Sequence, residues 1–166
     1  MNKQAEELRY AVRFRVVLKY FGQLCVVLAV LSLLPLVMSL VFGEIGISLR
    51  YGALVFVLAG GGIALSRLRV PTRVQSNEGL LLIALMFLFT PLVMSIPMMA
   101  SGLGFTDAFF EAISAVTTTG LSTRATLSDA PSTFLFARAW MQWYGGLEIV
   151  VFSVVLVMRP GPEAKT

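Results

Sequence analysis

The sequence predicts an all-α membrane protein: four transmembrane helices, with a re-entrant helix and loop between the third and the fourth. Three observations predict it. Of the 166 residues, 57% are hydrophobic and 13% charged, and the mean hydropathy is +0.85; an ordinary soluble domain has about 45–50% apolar and about 25% charged residues. Four long stretches are almost free of charge. Between the last two of them lies a shorter amphipathic segment that ends in "AVTTTGLSTR", residues 115–124, a run of hydroxyls and glycine inside an otherwise apolar chain.

A helix needs about 20 residues to cross a hydrocarbon core of about 30 Å. The first span lies within Tyr20 to Gly43, a charge-free run long enough to cross with some tilt. It exceeds the apolar core of a signal peptide and is expected to be retained as an anchor. The second lies between Arg50 and Arg67, a run too short to span, so it is expected to begin a turn earlier with Arg50 snorkelling to the headgroups. The third run, Gly79 to Thr106, is the longest and holds a helix plus the start of a loop. The fourth, Ala139 to Met158, matches one span and is interrupted by Glu148. Pro35, Pro91 and Pro97 fall inside these runs and predict kinks.

The chain divides into a cytoplasmic amphipathic lead (1–19), a transmembrane hairpin (20–68), a cytoplasmic loop marked by Pro71 and the polar cluster Gln75 to Glu78 (69–78), a second unit (79–158) and a polar tail, "RPGPEAKT" (159–166). The hairpin and the second unit read as separable. With both termini cytoplasmic, 10 of the 13 basic residues lie inside, and only Arg50, Arg124 and Arg138 lie outside. Topology therefore accounts for the pI near 9.6 without a nucleic-acid partner, and the basic lead suits anionic lipid. One cysteine, Cys25, permits no intrachain disulfide, and the absence of histidine removes most transition-metal sites and histidine-based catalysis. No cofactor and no enzymatic activity are expected.

Within "FTDAFFEAISAVTTTG", Thr106 is placed as N-cap, Asp107 puts negative charge in the first turn, and Gly120 supplies a residue tolerant of positive φ beyond the end. Phe109, Phe110, Ile113 and Val116 recur at helical spacing and predict one apolar face. If the chain then returns outward in an extended form, the carbonyls of Thr117, Thr118, Thr119, Gly120 and Leu121 can replace the water shell of a monovalent cation, with the closest ligation at Thr118, Thr119 and Gly120. The plainer alternative is a helix C-cap followed by a surface loop.

"FTDAFFEAISAVTTTGLS" followed by "RAWMQWYGGLEIVVFSVVLVMRPG" resembles the first pore repeat of the Trk/Ktr/HKT superfamily of potassium transporters, and the preceding hairpin is similar to the extra N-terminal pair of its TrkH branch. The resemblance implies that residues 117 to 120 form a selectivity filter, with Gly120 the glycine associated with potassium passage. It implies potassium as transported ligand, a location in the cell inner membrane and a cytoplasmic nucleotide-binding ring subunit as a candidate partner.

Two departures matter. Full-length members carry four such repeats, whereas this sequence carries one. A homotetramer is expected, the polar tail reading as a chain end; the alternatives are a fragment, or a non-conducting scaffold or regulatory subunit. The second departure is "GGLE", which places Glu148 where the family pattern usually has glycine. An acid near mid-membrane costs about 2.5–3.5 kcal/mol on insertion scales. It is either part of a ring of four glutamates in a cavity or gate below the filter, or a residue packed against a neighbouring helix through the gap at Gly145. Gln142, Gly146 and Ser153 read as a helix-packing stripe, and Trp140, Trp143 and Tyr144 as an interfacial aromatic belt. Asp107 and Glu111 are candidates for attracting cations to an outer vestibule. Arg124 and Arg138 are expected to pair with carboxylates such as Asp129 or to turn sideways.

Overall fold

The computed structural model describes residues 12–71 and 74–157. The order along the chain is α1 (Phe14–Val41), α2 (Ile45–Ser66), α3 (Ser76–Met98), a one-turn 3-10 helix (Met99–Ser101), α4 (Phe105–Val116) and α5 (Ser132–Val157), with no strand among the described residues. Most of the basic lead, loop residues 72 and 73, and the polar tail lie outside them. Among the described residues three segments are long and apolar enough to cross a membrane: Phe14–Val41, Ile45–Ser66 and Asn77–Ser101. The fourth expected span corresponds to α5, which has 26 residues, begins at Ser132 and takes in both Arg138 and Glu148.

Residues 14 to 19 of the expected lead continue α1 without a break. The turn into α2 is closed by a Schellman motif, in which Glu44 N–H donates to Ser39 O at 2.9 Å and Gly43 N–H to Leu40 O at 3.1 Å. That motif needs a left-handed residue, and Gly43 supplies it at φ +71°. α2 starts at Ile45, the turn earlier that its length requires, and Arg50 reaches the carbonyl of Ile96 at 3.1 Å rather than only the headgroups.

α1 and α2 form the most extensive helix pair. A β-carbon at Gly22 would lie 2.8 Å from Gly62 O, and one at Gly62 would lie 2.7 Å from Gly22 O, so the two backbones meet only because both residues lack one. Buried hydroxyls inside the bundle return to their own helices: Ser32 donates to Leu28 O at 2.7 Å and Ser95 to Leu92 O at 2.6 Å.

The hairpin and the second unit are tied together at both ends of the bundle. At one end of the bundle the Arg13 guanidinium donates to both carboxylate oxygens of Glu78, at 2.7 and 2.9 Å, while Glu78 also accepts from Gln75 N–H in a capping box. At the other end Glu44 accepts from Ser132 and Thr133 N–H, at 2.9 and 3.2 Å, capping α5 from the α1–α2 turn. α1 and α3 therefore start together, and α3 ends at the same end where α5 begins. Residues 99–131 must leave and return on that one side.

Midway, Pro35 lies inside α1 and has no N–H for the carbonyl of Leu31, four residues back. The Trp140 indole fills the place, donating to Leu31 O at 2.9 Å. Trp140 is thus not part of an aromatic belt; Tyr144 is also buried, and of the three rings expected there only Trp143 is exposed, stacked on Trp140 at 4.9 Å. Trp140→Phe should cost about 1–3 kcal/mol by orphaning that carbonyl, read as a lowered thermal midpoint in detergent. The loss should shrink in a Pro35→Ala background, where residue 35 regains its own donor; an equal loss in both backgrounds would sink this account.

Candidate functional site

α4 has 12 residues, about 18 Å of helix at about 1.5 Å per residue, roughly half a membrane span. It begins at Phe105, with Gly104 in extended backbone as N-cap, so Thr106 lies inside the first turn and does not cap it. Asp107 does occupy that turn, as expected. The buried face is Ala108, Glu111, Ala112, Ala115 and Val116, whereas Phe105, Phe110 and Ile113 are exposed and Phe109 is half-buried. The expected apolar face is thus turned outward, apart from Val116. Close packing against α3 and α5 selects the small side chains instead.

Small-residue packing is tightest at Gly145, midway along α5, where a β-carbon would collide with Val116 O and fall 2.8 Å from its carbonyl carbon. The C-terminus of α4 is therefore seated on the backbone of α5. α4 ends there in a second Schellman motif: Thr119 N–H donates to Ser114 O at 2.9 Å and Thr118 N–H to Ala115 O at 3.0 Å. The left-handed position, which Gly43 fills in the first motif, is held here by Thr118 at φ +59°, and Gly120 follows at +79°. A β-branched residue is a true outlier in that region, at a cost of about 1–3 kcal/mol that the surrounding contacts must offset.

From Thr118 the chain climbs α5 one turn at a time. The Thr118 methyl lies 3.7 Å from where a Gly146 β-carbon would be, Gly120 lies against Gln142, and the Leu121 carbonyl accepts from Arg138 at 3.0 Å and from Ser114 Oγ at 2.7 Å. Gln142 and Gly146, expected as a helix-packing stripe, thus form the wall behind the threonine and glycine run, while Ser153 returns to Ile149 O. On the side away from α5, Thr118, Thr119, Gly120 and Leu121 are exposed. Thr117 Oγ1 donates to Ile113 O at 2.8 Å and lies 2.8 Å from Thr119 Oγ1. Four of the five residues expected as ion ligands therefore form one continuous exposed segment, with Thr117 half-buried at its base.

Behind them sits Glu111, fully buried. It accepts from Ser122 Oγ at 2.6 Å, Thr123 N–H at 2.8 Å, Thr123 Oγ1 at 3.1 Å, and the Arg138 guanidinium. Glu111 is therefore not a vestibule residue: its charge is met inside the protein. Arg138 pairs with this carboxylate and not with Asp129. Arg124 is turned sideways, donating to Ser101 O and lying 5.0 Å from the Phe134 ring centroid. The sequence singles out both ends of the Glu111–Arg138 pair without joining them; the missing signal is that residues 111 and 138 lie on helices packed against each other.

Glu148 is half-buried and lines a cavity of about 330 Å³ between α1, α3 and α5. On a helix turning about 100° per residue, it points away from Gly146 and Gln142, and so away from the residue 117–121 segment. The space at Gly145, expected to receive it, is taken by Val116. Among the described residues no group of His, Cys, Asp or Glu has the arrangement of a metal site.

Residues 50–165 match the family described as TrkH, a cation transport protein. The chain is 31% identical over 152 residues to the Trk system potassium uptake protein TrkH of Escherichia coli K12, covering 87% of this chain and 31% of that protein. It is 29% identical over 150 residues to the TrkH of Vibrio parahaemolyticus, covering 87% and 31%. It is 27% identical over 151 residues to an uncharacterized cation transporter of Methanocaldococcus jannaschii, covering 89% and 31%. The chain thus spans about a third of the length of the curated relatives it matches.

Proposed function

This chain belongs to the TrkH family of cation transport proteins, and from that premise we propose that it supplies one helix, pore-loop, helix unit of a potassium pathway. The family consists of membrane transporters and not enzymes. In this reading α1, α2, α3 and α5 cross the membrane, α4 re-enters from the outer side, and Thr117 to Leu121 return as one wall of a selectivity filter. Potassium is the transported ligand, bound most closely at Thr118, Thr119 and Gly120. The Leu121 carbonyl is engaged by Ser114 and Arg138, which leaves it the role of anchoring the upper end of the wall. The membrane is the cell inner membrane, with both termini cytoplasmic and a nucleotide-binding ring subunit as candidate partner.

The observation that carries this reading is the exposed segment from Thr118 to Leu121, held from behind by Gly146, Gln142 and Arg138 and left uncovered in front. A carbonyl filter needs such a wall repeated around an axis, and one chain makes a quarter of it. Four copies complete the ring in a homotetramer. The 31% coverage of the relatives favours a second reading, in which this chain is part of a longer protein whose other repeats complete it. Stoichiometry in mild detergent separates the two. A stable monomer that conducts nothing would instead assign the chain to a scaffold or regulatory role.

Gly120→Ser is the direct test. Potassium flux into liposomes should persist, while the preference for potassium over sodium falls by about tenfold, roughly 1.4 kcal/mol of differential binding. Potassium and sodium fluxes identical to those of the unmodified protein would rule out a filter at this position.

A further inference from the structure

The cavity between α1, α3 and α5 is not used by the proposed ion path. Its walls are Leu24 and Leu28 of α1, Met86 of α3, and Val151 of α5, with the Glu148 carboxylate and Tyr144 set among them. At about 330 Å³ it lies at the lower end of the range of small-molecule sites, about 300–1,000 Å³. Val27, Leu147 and Val151 on its rim are exposed, so the cavity opens at the apolar surface of the bundle.

Two polar groups there have no partner among the described residues. Glu148 makes no ion pair; the Tyr144 hydroxyl also makes no hydrogen bond, but its oxygen is sealed off from the cavity and of the two Glu148 alone faces it. An ionised carboxylate in such surroundings is costly unless a cation meets it. A hydrated metal ion would find only the Thr90 hydroxyl as a further side-chain ligand among otherwise aliphatic walls. A zwitterionic headgroup would bring a phosphate for which the lining offers no cation. What satisfies the whole lining is a single positive charge on an apolar body.

The geometry points to a binding site for a hydrophobic primary ammonium compound, its nitrogen donating to Glu148 and its hydrocarbon part packed on Leu24, Leu28 and Met86. This site is distinct from the ion path, and its existence does not depend on that path.

The test uses the purified protein in phosphatidylcholine nanodiscs and phenethylammonium as probe, followed by titration calorimetry. Saturable binding is expected to the unmodified protein, with no comparable binding of neutral 2-phenylethanol or of the 3-phenylpropionate anion. Glu148→Gln should weaken binding by about tenfold or more, the size of one lost charge-assisted contact, and Glu148→Asp should retain part of it. The comparison of ammonium with alcohol on the unmodified protein stands even if a variant folds poorly. Equal binding of the two overturns the proposal, as does a Glu148→Gln protein that folds normally and binds like the unmodified one. Absence of saturable binding also overturns it, and is the outcome expected if a neighbouring helix fills the cavity. Phosphatidylethanolamine added to the nanodiscs should leave the affinity unchanged; competition by it would assign the cavity to a lipid headgroup and overturn the free-amine reading.

Discussion

Replacing Glu111 by Ala should destabilise the protein by about 3–5 kcal/mol, because it leaves the buried Arg138 guanidinium without its counter-charge. The same substitution also removes the acceptor for Ser122 Oγ and for both donors of Thr123. Two consequences separate here. The thermal midpoint in detergent falls, and the segment after Leu121 loses its tether to α4. On the proposed filter reading, potassium flux should therefore fail even at temperatures where the helices remain folded. Adding Arg138→Met to Glu111→Ala should recover stability, since removing both charges from a buried pair is often neutral or stabilising. It should not recover transport, because Arg138 also holds the Leu121 carbonyl. A double variant that restores both would mean that the pair acts only through stability.

Gly145→Ala is expected to be nearly as damaging, although it adds a single methyl group. That methyl would collide with Val116 O and sit 2.8 Å from its carbonyl carbon. Overpacking a core typically costs about 1–3 kcal/mol, and the figure rises where the neighbour cannot move. Here the neighbour is backbone at the last turn of α4, immediately before the left-handed Thr118. Relief requires α4 to move away from α5, which withdraws the threonine and glycine run from Gly146 and Gln142. Loss of flux with a largely intact helical circular dichroism spectrum is the expected result. Wild-type flux for Gly145→Ala would show that the two helices do not meet as described. Gly146→Ala is the control, since its nearest contact is 3.7 Å away, an ordinary van der Waals distance.

Hydrophobic run length reveals α1, α2, α3 and α5, because burial in lipid leaves a one-dimensional trace in the sequence, but it misses their charged first turns: α1 begins six residues before Tyr20 and α5 seven before Ala139. α4 is legible from its bounds, "FTDAFFEAISAV", but its orientation is not. The pattern of Phe109, Phe110 and Ile113 has helical period, and periodicity says that a face exists without saying what it meets. In a membrane the aromatic face can look outward, while Ala108, Ala112 and Ala115 permit close approach inside. Composition points to Gly120 as the left-handed residue. The α4 cap puts it first at Thr118, where propensity argues against it and tertiary contacts decide. Trp140 misleads for a similar reason: a tryptophan near a helix end suggests an interface, and only the pairing of α1 with α5 reveals Pro35 and Leu31 beside it. Glu44 carries no local signal for its bonds to Ser132 and Thr133, and the local capping box at Glu78 says nothing of Arg13, since those partners lie on other elements.

The Leu31–Trp140 bond has a bearing on how the chain is made. The two residues are 109 positions apart, so a ribosome delivers the proline-broken turn of α1 to the bilayer long before the indole that completes it exists. Until α5 arrives, that turn exposes a bare peptide oxygen, and Glu44 waits on the far side for amide groups not yet synthesised. The nascent hairpin is consequently an incomplete body, and α5 serves as the closing pin of this bundle.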